Sequence, residues 1–447
     1  MNQMISRTLL VAVPALLFGG TAAGVALRPS RTAADAVAAA RGLAPSISIT
    51  ATSAPDPAPA VMEEGRALWV NRWDYGSAAT IRTLMEQARR ANFNIVYFQV
   101  RGPGDARYRS QLDPCSPRLC GQLGGVPTWD PLEVAVREAH SRGIQLHAWI
   151  NALSGWESRT AADCRGLRPS VAGQPNHVLV DHPEWAMYTR RGRPMACPNG
   201  EDEYVYLSPV HPEVRTHLAR VAADVVRRYD VDGVHLDRIR YPGADFGWDP
   251  ASLAAFGRDP ATDREGWARF RRELVNSTVR ETNDSIKAVR AVPLSAAVWP
   301  IYDRTRLGWR ESSSGVAQFF QDTWGWASGG YLDVAVPMTY FYVADERCSY
   351  RPRRPGQEPN PDWDCMVADH VAGMRPSGRH VYAGIVTGLP LSEIARQVRL
   401  GRERGVNGFS FYSYGALNEQ NAWSFLANGV FSEPATVPRM PWLNAAE

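Results

Sequence analysis

Two side chains at alternate positions, His235 and Asp237, have types and spacing suited to chemistry. They lie in the segment VDGVHLDRIRYP, residues 231–242, where polar positions alternate with apolar ones. A strand has a side-chain period of two, so His235 and Asp237 share one face, opposite to Val234 and Leu236. The pair is either delivered together to a reactive site or hydrogen-bonded within the interior.

The segments around this strand predict an α/β fold. From Arg66 onward, strand-like runs alternate with helical segments such as Ala78–Ala91 and Leu391–Arg404, without consecutive hairpins. That alternation is typical of a parallel sheet. Eight strands close a (βα)8, or TIM, barrel, which we therefore expect. The predicted strands are Ala67–Asn71, Ile95–Arg101, Ile144–Asn151, Val231–Arg238, Leu294–Trp299, Val334–Tyr340, Val381–Val386 and Gly408–Tyr414.

One end of this barrel is predicted to be polar and aromatic. In such barrels, the residues that do chemistry sit at the carboxyl ends of the strands. Alternation within the strands predicts that one polar and aromatic face of several strands converges on that rim. The residues on this face include Arg101, His147, Trp149, Asn151, His235, Asp237 and Tyr412.

Four long loops follow strands at the same rim, spanning residues 101–129, 152–206, 240–265 and 341–362. Five of the six cysteines fall in three of these loops, and Cys365 follows the last loop by three residues. The chain has no C-x-x-C pair of the kind that binds zinc. Disulfides persist in exported proteins. Pairing within each loop predicts three disulfides: Cys115–Cys120, Cys164–Cys197 and Cys348–Cys365.

The N-terminus predicts export. Arg7 precedes an apolar run, Leu9–Phe18, that is short for a membrane span and is followed by small residues. This pattern is typical of a cleaved signal peptide, with an uncleaved membrane anchor as the alternative. The predicted organisation is a signal peptide (1–26), a disordered Ala/Pro-rich tether (27–62), the barrel (63–428) and a C-terminal tail (429–447).

Several separated motifs carry a family resemblance. They are ALWVNRW (67–73), NIVYFQVRGPGDARYRS (94–110), WDPLEVAVREAHSRGIQLHAWIN (129–151), SPVHPEVR (208–215), YDVDGVHLDRIRYP (229–242), YLDVAVPMTY (331–340) and GVNGFSFYSYGAL (405–417). Together they resemble the glycosyl-hydrolase-like family 10 domain, a TIM-barrel family related to glycoside hydrolases. The resemblance implies an exported or envelope-associated protein. Some members of the family are implicated in cleaving peptidoglycan glycan strands.

The chain departs from that family pattern at two places. Arg238 stands where the family has a second consecutive acid after the fourth strand. Met338 follows Pro337 where the family usually has glutamine. Both changes lie at the rim, so they bear on specificity or on activity.

Glycosidic cleavage needs a general acid and a second carboxylate, acting as nucleophile or as base. Asp237 is our candidate for the carboxylate beside the anomeric carbon, because it ends the fourth strand and faces the interior. Asp105, which the resemblance covers, is the first candidate for the acid. We expect Arg101, His147 and His235 to help keep Asp237 ionised. Weaker candidates for the acid are Asp303, Asp345 and Glu346, whereas Asp232 and Asp333 are interpreted as structural.

Aromatic and polar rim residues are candidates for binding the glycan, although core packing is the alternative for each aromatic. Positive charge near the mouth comes from Arg101, Arg238 and Arg240. It would suit the lactyl carboxylates of denuded glycan strands, meaning strands whose peptides have been removed. The alternative is that these arginines balance nearby acids. The predicted substrate-binding residues are Arg101, His147, Trp149, Asn151, His235, Tyr241, Trp299, Tyr340 and Tyr412.

We therefore expect an exported glycoside hydrolase whose substrate is a polysaccharide, with peptidoglycan glycan as the expected one. The alternatives are a non-catalytic glycan-binding barrel and a metal-dependent hydrolase using His147, His235 and Asp237, which suit Zn²⁺. A net charge of +3 over 447 residues gives no case for nucleic acid. We expect no cofactor and no membrane contact beyond the signal or anchor. The sequence leaves the oligomeric state, the linkage and the stereochemical outcome open.

Overall fold

The computed structural model describes residues 62–197, 202–309, 312–344 and 361–443. Eight parallel strands form a closed barrel in which each strand pairs with the next and the last pairs with the first, confirming the predicted (βα)8 fold. The strands are β1 (Gly65–Val70), β2 (Ile95–Arg101), β3 (Gln145–Asn151), β4 (Gly233–Asp237), β5 (Leu294–Val298), β6 (Val334–Pro337), β7 (His380–Val386) and β8 (Gly408–Tyr412).

One principal helix follows each strand. These helices are α1 (Ala78–Arg90), α2 (Pro131–His140), α3 (Pro212–Arg228), α4 (Arg264–Lys287), α5 (Thr323–Ser328), α6 (Trp363–Met374), α7 (Leu391–Arg404) and α8 (Trp423–Asn428). Shorter helical segments in the connections are Pro117–Cys120, Ala161–Gly166, Val178–Asp181, Pro183–Trp185, Pro250–Phe256, Gly315–Phe319, Arg375–Ser377, Tyr414–Glu419 and Pro441–Leu443.

Helix starts follow local chemistry. The Ser77 hydroxyl accepts from the Thr80 amide in a capping box at the start of α1, and the Asp130 carboxylate accepts from two amides at the start of α2. These caps satisfy amides that have no partner within their own helix. The caps therefore fix where each helix leaves its rim loop.

Side chains alternate across the barrel wall as the period of two predicts. Val234 and Leu236 of β4 pack outward against the helices. Trp69, Tyr97 and Trp149 point inward and form a separate aromatic cluster inside the barrel. The interior is thus a packed core.

The long loop after β3 carries an antiparallel pair of short strands, Ser154–Glu157 and Tyr204–Tyr206. The disulfide Cys164–Cys197 closes this loop, and Cys115–Cys120 closes part of the loop after β2. Both are predicted pairs. The third predicted pair involves Cys348, which lies outside the described residues, while Cys365 is itself disulfide-bonded.

The C-terminal segment packs on the barrel as far as Leu443. Ala435–Thr436 pairs in parallel with Met62–Glu63, and the Trp442 indole donates to the Asp333 carboxylate over 2.8 Å. Both contacts lie at the amino ends of the strands, which is the barrel base. The predicted signal peptide and nearly all of the predicted tether lie outside the described residues. In the ranges that the structure describes, no helix combines the length and the hydropathy that crossing a membrane requires.

Candidate active site

Asp237 lies at the mouth of the barrel, as its position at the end of β4 predicts. Its Oδ1 accepts from the Arg238 amide over 2.6 Å, and Arg240 Nη1 lies 3.6 Å from the same oxygen. Its Oδ2 has no hydrogen-bond donor among the described residues. The side chain is 14% exposed. One carboxylate oxygen is therefore fixed while the other remains available to a ligand.

Aromatic rings surround this carboxylate. Tyr340 and Tyr412 stack with ring centroids 5.5 Å apart, and Trp299 lies under the Arg240 guanidinium at 5.7 Å. Burial, followed by the charges of Tyr412 and Asp237, raises the pKa of Tyr340 well above its ordinary value. All three rings are half-buried, so part of each is accessible at the mouth.

Asn151 forms part of the floor below the carboxylate. It stands beside Asp237 in the register between β3 and β4. Its side-chain oxygen accepts from the Gln99 amide at 3.2 Å and the Trp149 indole at 3.0 Å. Trp149 is only 3% exposed and packs edge-on against Trp69. Asn151 and Trp149 therefore support the site from beneath.

The two predicted histidines do not reach the mouth. His235 is fully buried, stacks on Tyr97 at 4.1 Å and shares a 2.8 Å hydrogen bond with the Ser295 hydroxyl. Burial lowers the pKa of His235 well below its ordinary value and that of His147 to about 4. Both rings are therefore neutral near pH 7, so the expectation that they supply positive charge to Asp237 fails.

The histidines also bear on the metal-dependent alternative. In the described ranges, no group of three His, Cys, Asp or Glu side chains is placed to hold a metal ion. His147 instead meets Gln145 over 3.2 Å in the buried interior. The three residues considered for Zn²⁺ do not converge.

Arg101 points away from the mouth, contrary to the alternation expected along β2. The register with β3 shifts between Gln99 and Arg101, so Arg101 pairs with the outward-facing Ile150. A bulge of this kind reverses the side on which a side chain emerges. The guanidinium forms a buried 2.7 Å ion pair with Asp113.

Asp105 lies in the tight turn after β2. Its Oδ1 is buried and accepts no hydrogen bond from the described residues. Its charge acts on Arg72, Tyr75 and His177. Asp105 therefore sits under the loops on the β1–β2 side of the rim.

Other predicted positions fall elsewhere. Tyr241 is fully buried and meets Phe320 edge-on in the outer core, so it does not reach the mouth. Asp303 accepts from the amide and hydroxyl of Thr305 within its own turn. Asp345 and Glu346 lie outside the described residues.

Arg238 occupies the position of the missing second acid. Its backbone has φ of +56°, a left-handed conformation that is unfavourable for a residue with a side chain. The guanidinium forms an ion pair with Glu203 and donates to the Tyr206 hydroxyl over 3.1 Å. Glu203 comes from the hairpin loop after β3. The charge of Arg238 is therefore offset by Glu203, which also pairs with Arg159.

Three rim residues were missed or undervalued by the sequence analysis. Trp73 is 52% exposed just after β1, and Tyr342 is 47% exposed after β6. Asp74 accepts from the Asn71 amide over 2.8 Å, and burial raises its pKa. Their signal was their distance from a strand end, within five residues on the carboxyl side in each case.

A closed (βα)8 barrel with a carboxylate and aromatic rings at its mouth is the architecture of many glycosidases. The family model described as glycosyl hydrolase-like 10 matches residues 64–350, more than half of the chain. The chain therefore belongs to this family and is a glycoside hydrolase by class.

Two relatives support the same family. Glycosyl hydrolase YngK of Bacillus subtilis (strain 168) is 28% identical over 389 residues, covering 81% of this chain and 68% of YngK. Glycosyl hydrolase DigH of Escherichia coli (strain K12) is 30% identical over 273 residues, covering 60% of this chain and 58% of DigH. The matched region therefore spans only part of each relative.

Solved structures show the same fold. Alpha-L-fucosidase isoenzyme 2 from Paenibacillus thiaminolyticus aligns with a TM-score of 0.54 at 13% identity, covering 83% of this chain and 49% of that one. The PgaB (BpsB) glycoside hydrolase domain from Bordetella bronchiseptica aligns with a TM-score of 0.51 at 13% identity, covering 81% of this chain and 98% of that domain. At these identities the likeness concerns the barrel alone.

Proposed function

We propose that this protein is an exported enzyme that cleaves glycosidic bonds in peptidoglycan glycan strands. The observation that carries the proposal is Asp237, a carboxylate at the carboxyl end of β4 with one oxygen fixed and one available. The family membership gives the reaction class. The two disulfides described above suit the oxidising conditions outside the cytoplasm.

Asp237 acts as the nucleophile, or as the base that activates water. Either role requires a carboxylate oxygen that is open to the sugar or to water, and Oδ2 of Asp237 meets that requirement. A carboxylate fixed by a backbone amide also keeps its orientation as charge develops on the sugar. Oδ2 is the reacting oxygen, because Oδ1 is engaged.

Asp105 is the proposed general acid. Its Oδ1 carries no hydrogen bond from the described residues, so none has to break when a proton moves to the leaving oxygen. The turn that holds it is tight, since the Gly102 amide donates to the Asp105 carbonyl over 3.0 Å. Asp74, whose pKa is raised by burial, is the other rim carboxylate suited to a protonated role.

The test is turnover of denuded peptidoglycan glycan strands, with products identified by mass spectrometry. We expect wild type to release shorter glycans and Asp237→Asn to release none. Asp303→Asn is the matched control, because Asp303 serves its own turn. Strand binding without turnover by wild type would instead support the non-catalytic alternative, which the ion-paired Arg238 at the second-acid position favours.

A further inference from the structure

Three arginines were expected to make the mouth positive, and the structure separates them. Arg101 forms an ion pair with Asp113, and Arg238 forms one with Glu203. Arg240 is different: its side chain is 8% exposed, yet within the described part of the chain no hydrogen bond reaches its guanidinium. Among the described residues, its one ion contact is with Asp237 at 3.6 Å.

A nearly buried guanidinium without hydrogen bonds is unfavourable by itself. Arginine carries five N–H donors, and leaving buried donors unmet costs their desolvation. A separation of 3.6 Å supplies charge attraction to Asp237 but lies beyond hydrogen-bond distance. The donors of Arg240 are therefore available to a group that enters the mouth.

The position of Arg240 is fixed by its surroundings. The guanidinium lies over the Trp299 ring, and its charge acts on Tyr340 and Tyr206. Contact with an aromatic face holds the planar group without using its N–H donors. A planar donor set held in this way suits a carboxylate, which accepts two parallel hydrogen bonds.

We propose that Arg240 is a specificity-determining residue that binds a carboxylate carried by the sugar unit next to Asp237. This inference rests on the proposed function, because it names a substrate feature read by the same site. Two kinds of sugar carry such a carboxylate: muramic acid, through its lactyl ether, and a hexuronic acid, through its own carboxyl group. Both place the charge on a sugar ring.

A role limited to keeping Asp237 ionised makes a different prediction. Loss of Arg240 would then shift the pH profile and lower kcat on every substrate. Recognition of a substrate carboxylate predicts a selective loss, in which kcat/KM falls much further for carboxylate-bearing glycans than for neutral ones. The comparison of substrates therefore distinguishes the two roles.

The experiment uses four glycans: denuded peptidoglycan strands, the same strands with amidated lactyl groups, chitin oligosaccharides and oligouronates. We expect wild type to favour one carboxylate-bearing glycan over its neutral counterpart by about 10- to 100-fold in kcat/KM. Arg240→Gln should abolish this preference, lowering kcat/KM on the carboxylate-bearing glycan about 10- to 100-fold more than on its neutral counterpart. Arg190→Gln, which removes an arginine 60% exposed beside Asp245, should keep it.

Several outcomes would overturn the inference. Equal losses on all four glycans would reduce Arg240 to a partner of Asp237, and an unchanged preference would place the carboxylate elsewhere. If wild type cleaves nothing, the proposed function fails, and binding of native against amidated strands by calorimetry still tests Arg240. Arg240→Lys replaces the glutamine variant if that variant does not fold, because lysine keeps the charge and loses the paired donors.

Discussion

The mouth and the base of the barrel each hold an aspartate, and the two differ in how completely they are bonded. Asp333, just before β6, is fully buried and accepts from the Leu294 amide at 2.8 Å and the Trp442 indole at 2.8 Å. Lys287 adds an ion pair at 3.1 Å. Asp237 has one amide and one more distant guanidinium. Both oxygens of the base carboxylate accept hydrogen bonds, whereas one oxygen of the mouth carboxylate accepts none from the described residues.

A second base aspartate, Asp232, also joins neighbouring elements, but it does so through Oδ2 alone. Asp232 precedes β4, accepts from the Leu146 amide at 2.7 Å and meets His140 at 2.8 Å. It thereby joins β4 to β3 and to α2. Both base aspartates were interpreted as structural from the sequence, and their bonding agrees with that role. The base aspartates hold neighbouring elements together, whereas Asp237 at the mouth accepts, among the described residues, only from the adjacent Arg238 amide and has Oδ2 open to a ligand.

The largest expected effect of breaking this contrast is on activity at the mouth. Asp237→Asn keeps the shape of the side chain but removes its charge, so kcat/KM on denuded strands should fall at least about 10³-fold. The free energy of unfolding should fall by no more than about 1–2 kcal/mol, because Arg240 loses its ion contact but no hydrogen bond. Parallel activity and urea-unfolding measurements check this. An equally active variant would remove Asp237 from the mechanism.

The next largest effect is on stability at the base. Asp333→Ala leaves Lys287 and the buried Leu294 amide without their partner, so unfolding should become easier by about 3–5 kcal/mol. Folded molecules should retain their kcat. Urea unfolding with tryptophan fluorescence measures the change. As a control, Asp245→Ala removes an exposed partner of Arg190 and should change the free energy of unfolding by less than about 0.5 kcal/mol. A loss that small for Asp333→Ala would contradict the difference drawn between the base and the mouth.

A smaller effect concerns pH and His147. Burial lowers its pKa to about 4 in the folded state, against about 6.5 when unfolded. Between these values the unfolded chain binds a proton that the folded chain does not, so stability falls as pH drops from about 6.5 to about 4. The share of His147 is up to about 3 kcal/mol.

The check is the slope of unfolding free energy against pH. His147→Gln should flatten part of that slope, whatever its effect at pH 7. His370 and His380, whose pKa values burial also lowers to about 4, retain theirs. A slope identical to that of wild type would show that His147 is not neutral by burial.

The alternation of side chains was predictable where strands are regular. It placed Asn151 and Asp237 correctly, because β3 and β4 run in register to their last residues. It failed at Arg101, because one register shift turns that side chain to the other face of the strand. No residue type marks a bulge, so the sequence alone does not reveal one. Tyr241, predicted to bind substrate, lies beyond the strand, because the left-handed turn at Arg238 ends β4 and Tyr241 packs in the outer core.

Contacts between distant segments were not predictable. The partner of Arg238 is Glu203, which lies 35 positions earlier in a loop without strand alternation. The partner of Arg101 is Asp113, which also meets His217 of α3 at 2.8 Å. Their positions near strand ends assigned three arginines to the mouth, but only the folded structure shows that Arg240 has no hydrogen bond to its guanidinium from the described residues.

The smallest expected effect compares exposed aromatics on two surfaces. Trp73 stands at the mouth with Arg72 over its ring at 4.9 Å, whereas Phe425 is exposed on α8 in the outer layer. If strands extend across the mouth, Trp73→Ala should raise KM on long glycans about 3- to 10-fold, as expected for one lost aromatic contact, with kcat unchanged. Phe425→Ala should change neither constant. Steady-state kinetics on long and short strands measure both, and the loss should shrink for strands too short to reach Trp73. Equal constants for the two variants would show that exposure of an aromatic ring at the mouth does not by itself mark a glycan contact.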